Sequence, residues 1–149
     1  PLHMLSSQPR SRLHSQMDPA SVSRAAKVAG REPVVINPDD AAARGIADGD
    51  VVRIFNDRGA CLAGAVVGDH ARPGVVRLSA GAWFDPLDED GGSLEVHGNP
   101  NTLTLDKGTS SLGQGPSATT TLVEMERFDG DVPPVTVFEA PATAAKSKE

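Results

Sequence analysis

The stretch VVINPDDAAARGIADGDVVRIFNDRG, residues 34–59, decides the fold. Its β-branched start, residues 34–36, favours a buried strand. Asn37 can cap a following helix, because its side-chain oxygen accepts a hydrogen bond from the first turn, and Pro38 suits the first helical position. Gly45 then favours a helix end in the left-handed conformation. The stretch therefore predicts a strand followed directly by one short helix.

A hairpin and a strand of small residues follow that helix. Residues 51–55 read as a second strand, and the turn sequence NDRG is typical of a hairpin that ends in a glycine at positive φ, here Gly59. The next strand, residues 60–68, carries small residues among both its odd-numbered and its even-numbered positions. This pattern indicates that other parts of the protein pack closely on each face of the strand, as in a small closed barrel. Cys61 lies in this strand, so we predict a buried core residue rather than a reactive thiol.

Composition agrees with a small, mainly β protein. The length of 149 residues predicts one domain, and fifteen glycines, twelve prolines and 3% aromatic residues favour strands and turns over a helical bundle. Further short strands are expected at residues 2–5, 75–78, 94–96 and 119–125. We therefore predict a barrel of six or seven strands with one or two short helices. A single cysteine excludes an internal disulfide.

Neither a membrane span nor a signal peptide is expected. No apolar run approaches the roughly 18 to 20 residues that a spanning helix needs, and the polar residues 1–20 lack the apolar core of a signal peptide. The sequence starts at Pro1, and its first methionine is Met4, which indicates a piece of a longer polypeptide.

Charge is distributed unevenly along the chain. The net charge is −6, yet residues 1–31 hold five basic residues and one acid, and the remainder holds nine basic and nineteen acidic residues. An acidic protein with one basic arm is a poor candidate for general nucleic-acid binding, which needs a broad positive face. A basic arm can still hold one anionic ligand such as a pyrophosphate.

The sequence contains no convincing set of catalytic or metal-binding residues. His14 and Ser15 are adjacent, so in an extended segment their side chains point to opposite faces and cannot act as base and nucleophile. The four histidines lack the spacing of a zinc site, and the acidic run DPLDEDGG, residues 85–92, lacks the ligand pattern of an EF-hand and reads as a solvated loop. The residues favour binding over catalysis.

Two polar stretches are candidates for a binding site. Residues 8–16 offer Arg10 and Arg12 for phosphates and several hydrogen-bonding side chains. The second stretch comprises Asn99, Asn101 and the loop GTSSLGQG, whose glycines let backbone N–H groups approach an anion closely. From spacing alone, two ordinary polar surface loops remain an alternative.

At these residues a family resemblance becomes specific. The sequence resembles the C-terminal domain of the dimethyl sulfoxide reductase family of molybdenum enzymes. The resemblance lies in four stretches that occur in this order: LHMLSSQPRSRLHSQMD, residues 34–59, VHGNPNTLTLDKGTSSLGQG and TTTLVEME. Within this family, the trimethylamine-N-oxide and biotin sulfoxide reductase branch is most similar. The resemblance implies a six-stranded double-psi β-barrel that holds bis-molybdopterin guanine dinucleotide.

The resemblance also implies which residues contact the cofactor. RLHSQ matches a cofactor-binding turn, and Gln8 stands where many relatives have a histidine before the same proline. GNPN and LGQG match a second cofactor-contacting segment. The implied cofactor-binding residues are Gln8, Arg12, His14, Ser15, Gln16, Asn99, Gln114 and Gly115.

By the same resemblance, the molybdenum ligand belongs to another domain of a longer parent, so this chain is predicted to have no catalytic centre and no metal ligand of its own. The intact parent would remove an oxygen atom from an S-oxide or N-oxide, and the partners of this chain would be the parent's remaining domains. The parent's N-terminus decides whether the protein is located in the bacterial periplasm or in the cytoplasm.

The motifs LHSQ, GNPN and GTSSLGQG argue against membership of the formate dehydrogenases or nitrate reductases. A stand-alone barrel that binds proteins without a cofactor is the alternative.

The domain is expected to span residues 1–128. Residues 129–149 are rich in Pro, Ala and Lys and lack periodicity, which predicts a tail that is mobile or wrapped on a partner.

Overall fold

The computed structural model describes residues 1–87, 94–115 and 117–140. Within these ranges the strands are β1 Leu2–Leu5, β2 Pro33–Ile36, β3 Val51–Phe55, β4 Ala60–Val67, β5 Val75–Leu78 and β6 Thr121–Arg127. The helices are α1 Ser21–Ala25 and α2 Pro38–Ala42, with short 3-10 turns at Pro100–Thr102 and Ala118–Thr120. None of the helices in the described ranges has the length and apolarity that a membrane crossing requires.

The six strands close into a barrel in the order β1-β5-β2-β4-β3-β6. β1 runs parallel to β5 and β2 runs parallel to β4, whereas the other four neighbouring pairs are antiparallel. The two parallel pairs join strands that are not consecutive in the chain, so the chain crosses over between them, whereas β3 and β4 form a hairpin. The predicted six-stranded barrel with one or two short helices is confirmed, since the described residues form a closed barrel of six strands and two short α-helices. The prediction of a seventh strand at residues 94–96 is wrong, because that segment forms only isolated bridges at Glu95.

The interior is filled by alternate residues of the strands. β1, β3 and β6 alternate between buried and outward positions, as strands of a barrel with one solvated face should. β4 differs, because residues 60–65 are all buried. Cys61 is fully buried there, so the expectation of a buried core cysteine is confirmed, and burial raises the pKa of its thiol.

Close cover of β4 depends on Gly64. A Cβ at this position would lie 2.4 Å from the Cβ and 2.6 Å from the carbonyl oxygen of Val28. The turn that carries Val28 therefore packs directly on the strand backbone. Glycine is required here by close approach, as the small residues of β4 predict.

The cap and the end of α2 are as predicted, whereas the conformation of Gly59 differs from the prediction. The Asn37 side chain accepts a hydrogen bond from the Asp39 N–H at 3.0 Å, and Gly45 has a φ of 63°. The prediction of a positive φ at Gly59 is wrong. A Cβ at Gly59 would instead lie 2.8 Å from the carbonyl oxygen of Thr102, so contact with a distant loop explains this glycine.

The expected domain boundary falls just after β6. Phe128 still donates its N–H to the carbonyl of Val51 at 2.9 Å. Residues 133–138 of the expected tail lie against the barrel loops, whereas residues 141–149 lie outside the described residues. The division into a domain at 1–128 and a tail at 129–149 stays a prediction.

Gly64→Ala should lower the free energy of unfolding by about 1–3 kcal/mol, because the new methyl group overlaps the backbone of Val28. Gly68→Ala is the matched control, since the nearest atom to its new Cβ is His70 Cδ2 at 3.7 Å. The control should change stability by less than about 0.5 kcal/mol. Urea denaturation of both variants measures the difference, and equal midpoints would contradict the close packing of Val28 on β4.

Candidate functional site

The turn between β1 and α1 holds His14 in a defined orientation. Its N–H donates to Gln8 Oε1 at 2.8 Å, and the other end of the same amide lies 2.8 Å from His14 Nδ1. Because Oε1 faces the N–H, the amide nitrogen must donate to Nδ1. Nδ1 is then an acceptor, and the neutral ring carries its proton on Nε2. The exposed ring therefore presents an N–H donor at the surface.

The same turn is pressed against the loop that follows β5. A Cβ at Gly81, whose φ is 92°, would lie 1.9 Å from the His14 carbonyl oxygen, so only glycine fits there. Trp83 donates its indole N–H to the Ser15 carbonyl at 2.8 Å. His14 itself adopts a φ of 49°, an uncommon conformation that these neighbours fix.

A buried ion cluster lies beneath the turn, formed by Arg12, Asp18, Lys27 and Glu32. Their side chains are at most 3% exposed. Arg12 contacts Glu32 at 3.0 Å and Asp18 at 3.5 Å, and Lys27 contacts Asp18 at 2.9 Å and Glu32 at 3.1 Å. Burial acts to raise the pKa of Asp18, but its hydrogen bonds and the two cations outweigh burial and lower it. Asp18 is therefore ionised.

The position of Arg12 bears on its expected contact with the cofactor. Its Nε donates to the His14 carbonyl at 3.2 Å and its Nη2 to the Ala80 carbonyl at 3.0 Å. With the ion cluster, these bonds engage the whole guanidinium inside the protein. The structure therefore gives Arg12 the task of holding the turn in place.

A second buried carboxylate organises the loop that carries Asn99. Glu95 accepts four backbone N–H bonds, from Asp85 at 3.2 Å, His97 at 3.0 Å, and Gly98 and Asn99 at 2.7 Å each. Burial raises the pKa of Glu95, and these hydrogen bonds oppose the rise. The loop is thus wrapped around one carboxylate.

Asn99 is largely buried and fixed in this loop. Its Oδ1 accepts the N–H of Asn101 at 2.9 Å, and its Nδ2 donates to the Ala82 carbonyl at 2.9 Å. The side chain therefore joins the loop after β5 to the 3-10 turn, and it shapes the space between them.

One polar groove brings most of the predicted residues together. A cavity of about 610 Å³ is lined by His14, Ser15, Ala80, Gly81, Ala82, Trp83, Phe84, Asn99, Asn101 and Val137. An adjoining cavity of about 560 Å³ is lined by Asn101, Thr104, Leu105, Asp106, Lys107, Gly108, Gln114, Gly115, Ser117 and Ala118. Asn101 lines both, so we treat them as one feature, the polar groove.

The remaining predicted residues lie elsewhere. Gln8 and Arg12 line a separate cavity of about 270 Å³, beside Arg10 and Arg77. Gln16 is exposed and lines neither half of the polar groove.

Sequence reasoning missed four residues that build the site: Trp83, Asp85, Glu95 and His97. The expectation that Asp85 begins an exposed loop is wrong. It is 6% exposed, and it accepts hydrogen bonds from residues 136 and 137, about fifty positions away. Residues 88–92 of that predicted loop lie outside the described residues. Only the motif around Asn99 pointed to this region.

Comparison with known proteins identifies the family. A family described as "Molydopterin dinucleotide binding domain" matches residues 2–122. The chain belongs to this family. The alternative of a barrel that works without a cofactor is therefore not favoured.

Two relatives agree with this family, and one solved structure shares the fold. The chain is 56% identical over 142 residues to a trimethylamine-N-oxide reductase of Vibrio cholerae, covering 95% of this chain and 17% of that protein. It is 51% identical over 145 residues to a dimethyl sulfoxide/trimethylamine N-oxide reductase of Cereibacter sphaeroides, covering 97% and 18%. The chain thus spans less than a fifth of these relatives. Acetylene hydratase from Pelobacter acetylenicus shares the fold, with a TM-score of 0.67 and 16% identity over 86% of this chain and 18% of that one.

The polar groove fits a molybdopterin guanine dinucleotide. Its Asn, Ser, Thr and Gln side chains supply both donors and acceptors, as the edges of a pterin and a guanine require. Lys107 adds a cation for phosphate, and Trp83 and Phe84 expose flat apolar faces. Gly81 and Gly108 let the His14 carbonyl and the Gln114 side chain lie directly on their backbones, which holds the walls of the groove together. Two cavities that meet at Asn101 suit a ligand with two ring systems.

Glu95→Gln should lower the free energy of unfolding by about 3 kcal/mol, since either amide orientation turns an NH₂ group towards two buried N–H donors. Glu126→Gln is the control, because Glu126 forms an exposed pair with Arg53 and should cost less than about 1 kcal/mol. Thermal or urea unfolding compares the two. A similar loss in both would show that Glu95 does not organise the loop.

His97 should make stability fall in mild acid. The ring is fully buried, its Nδ1 donates to the Trp83 carbonyl at 2.8 Å, and Asp18, Lys27 and Glu32 surround it. Burial, with the charge of Lys27, lowers the pKa of His97 below its usual 6.5. Below pH 6.5 the unfolded chain therefore takes up a proton that the native state refuses, and the free energy of unfolding decreases as pH falls.

Stability curves of variants test this pH dependence. His97→Asn keeps a donor for the Trp83 carbonyl and cannot titrate, so its stability should fall less steeply below pH 6.5. The difference approaches about 1.4 kcal/mol per pH unit. Parallel curves for wild type and His97→Asn would contradict a neutral buried ring.

Proposed function

We propose that this chain holds molybdopterin guanine dinucleotide within an intact reductase of S-oxides or N-oxides, of the biotin sulfoxide, dimethyl sulfoxide or trimethylamine N-oxide type. One observation carries the proposal. The polar groove unites His14, Ser15 and Asn99 with Gln114 and Gly115, residues that stand far apart in the sequence.

Each side chain has a distinct task in this proposal. His14 donates from Nε2, because Gln8 occupies Nδ1. Asn99 fixes the shape of the groove, since its amide is bonded within the protein. The Gln114 amide nitrogen donates to the Ser110 carbonyl at 3.1 Å and turns Oε1 towards Gly108, where it can accept a ligand N–H. Gln16 contributes from the exposed edge of the turn.

The chain's own residues bind and orient the cofactor. When bound, the cofactor supplies the oxygen-atom and electron transfer through its molybdenum, whose protein ligand we assign to another domain. The reductase assignment is supported by the two relatives, which are reductases more than five times as long as the matched region. The remaining domains of such a protein are the proposed partners of this chain.

His14→Ala and Gln16→Ala should each lower the molybdenum content of the intact reductase, while the barrel stays folded. Loss of one hydrogen bond to a polar or charged ligand weakens retention by about tenfold. His70→Ala, on an exposed loop away from the polar groove, is the matched control and should keep full occupancy. Elemental analysis of purified enzyme gives the occupancy, and circular dichroism of the 149-residue variants checks the fold.

Full molybdenum content in both variants would remove this turn from the cofactor site. The substrate class is tested separately, by comparing reduction of trimethylamine N-oxide, dimethyl sulfoxide and biotin sulfoxide by the loaded wild-type enzyme. Failure to reduce any of the three would overturn the reductase assignment even if the cofactor is bound.

A further inference from the structure

A C-terminal segment, residues 133–138, runs across the loops that build the polar groove; we call it the strap. At its start, the buried Arg31 donates to the Pro133 carbonyl. Further on, Val135 packs beside Gly30, with its Cγ2 3.9 Å from the position of a Cβ there. These contacts place the first half of the strap against the turn that precedes β2.

Asp85 fixes the middle of the strap. One oxygen of this buried carboxylate accepts the N–H groups of Thr136 at 2.7 Å and Val137 at 3.0 Å, and the other accepts the Thr136 hydroxyl at 2.9 Å. Three hydrogen bonds to one buried charged group form a strong attachment. A carboxylate in an acidic run is thus used to hold a distant segment.

Phe138 ends the strap over the buried part of the site. Its ring meets His97 edge-on at 5.0 Å between centroids and lies 6.0 Å from the Trp83 ring. The Arg24 guanidinium and the Lys27 ammonium lie 5.2 and 5.9 Å from its centre. Aromatic and cation–π contacts favour this position. The ring therefore covers His97 and one edge of the ion cluster.

Val137, between these two attachments, lines the polar groove together with His14, Ser15 and Asn99. The strap also lies beyond the residues 2–122 that match the cofactor-binding family. We propose that the strap is one wall of the cofactor site and that its attachment through Asp85 and Phe138 slows release of the bound dinucleotide. This inference rests on the proposed function.

The test measures cofactor release from the intact molybdenum-loaded reductase. Holoenzyme is incubated at a denaturant concentration below its unfolding transition, and the released pterin is followed by its fluorescence after oxidation. Phe138→Ala should release cofactor about tenfold faster than wild type, because it removes the aromatic and cation–π contacts that hold the strap. Phe138→Tyr keeps the ring and should restore a rate close to that of wild type.

Two further variants separate strap attachment from general damage. Thr136→Val keeps the side-chain shape and removes the hydroxyl bond to Asp85, so a smaller acceleration of release is expected. Phe128→Ala removes an equal ring from a residue outside the strap and the polar groove, and it should leave the release rate unchanged. If Phe138→Ala does not fold, the exposed Thr136→Val still decides the question.

The outcomes distinguish the two proposals. Wild-type rates in both Phe138→Ala and Thr136→Val would overturn the strap as a wall of the site and leave the proposed function standing. Faster release in Phe128→Ala equal to that in Phe138→Ala would also overturn it, since the effect would then be a general loss of stability. A wild-type reductase that carries no pterin cofactor would overturn the proposed function, and the strap proposal with it.

Discussion

Four buried charges beneath one turn support the rest of the site. Arg12 and Lys27 face Asp18 and Glu32 in a space from which water is almost excluded. Removal of any one partner would leave an uncompensated buried charge, which is strongly unfavourable, so the four side chains hold one another in place. The cluster joins the turn that carries His14 to the start of β2, and the polar groove depends on that junction.

This cluster changes the meaning of the basic N-terminal arm. From composition, its five cations appear available to an anionic ligand. In the fold, Arg12 and Lys27 neutralise internal carboxylates, and Arg31 is buried against backbone carbonyls. Much of the positive charge therefore serves the structure. Of the five cations, Arg10 stays exposed and lines the smaller cavity beside Gln8.

Prediction from sequence succeeded where the physical cause is local. The bounds of β3 and the cap of α2 follow from adjacent residues, and the structure reproduces both. Gly59 shows the limit: the turn was recognised, but its glycine is required by the distant Thr102. Likewise Asp85 and Glu95 gain their roles from contacts that no spacing reveals. Motif resemblance indicated the candidate residues, whereas the carboxylates that position them came only from the fold.

The strand order has a consequence for how the protein is made. β1 needs β6 as a neighbour, and its other neighbour, β5, lies about seventy residues further along. A ribosome that releases residues in order must therefore leave β1 with a bare hydrogen-bonding edge until residue 127 has emerged. Such non-local closure is slow. We therefore expect the loops that line the polar groove to reach their final positions only after β6 has paired with β1 and β3.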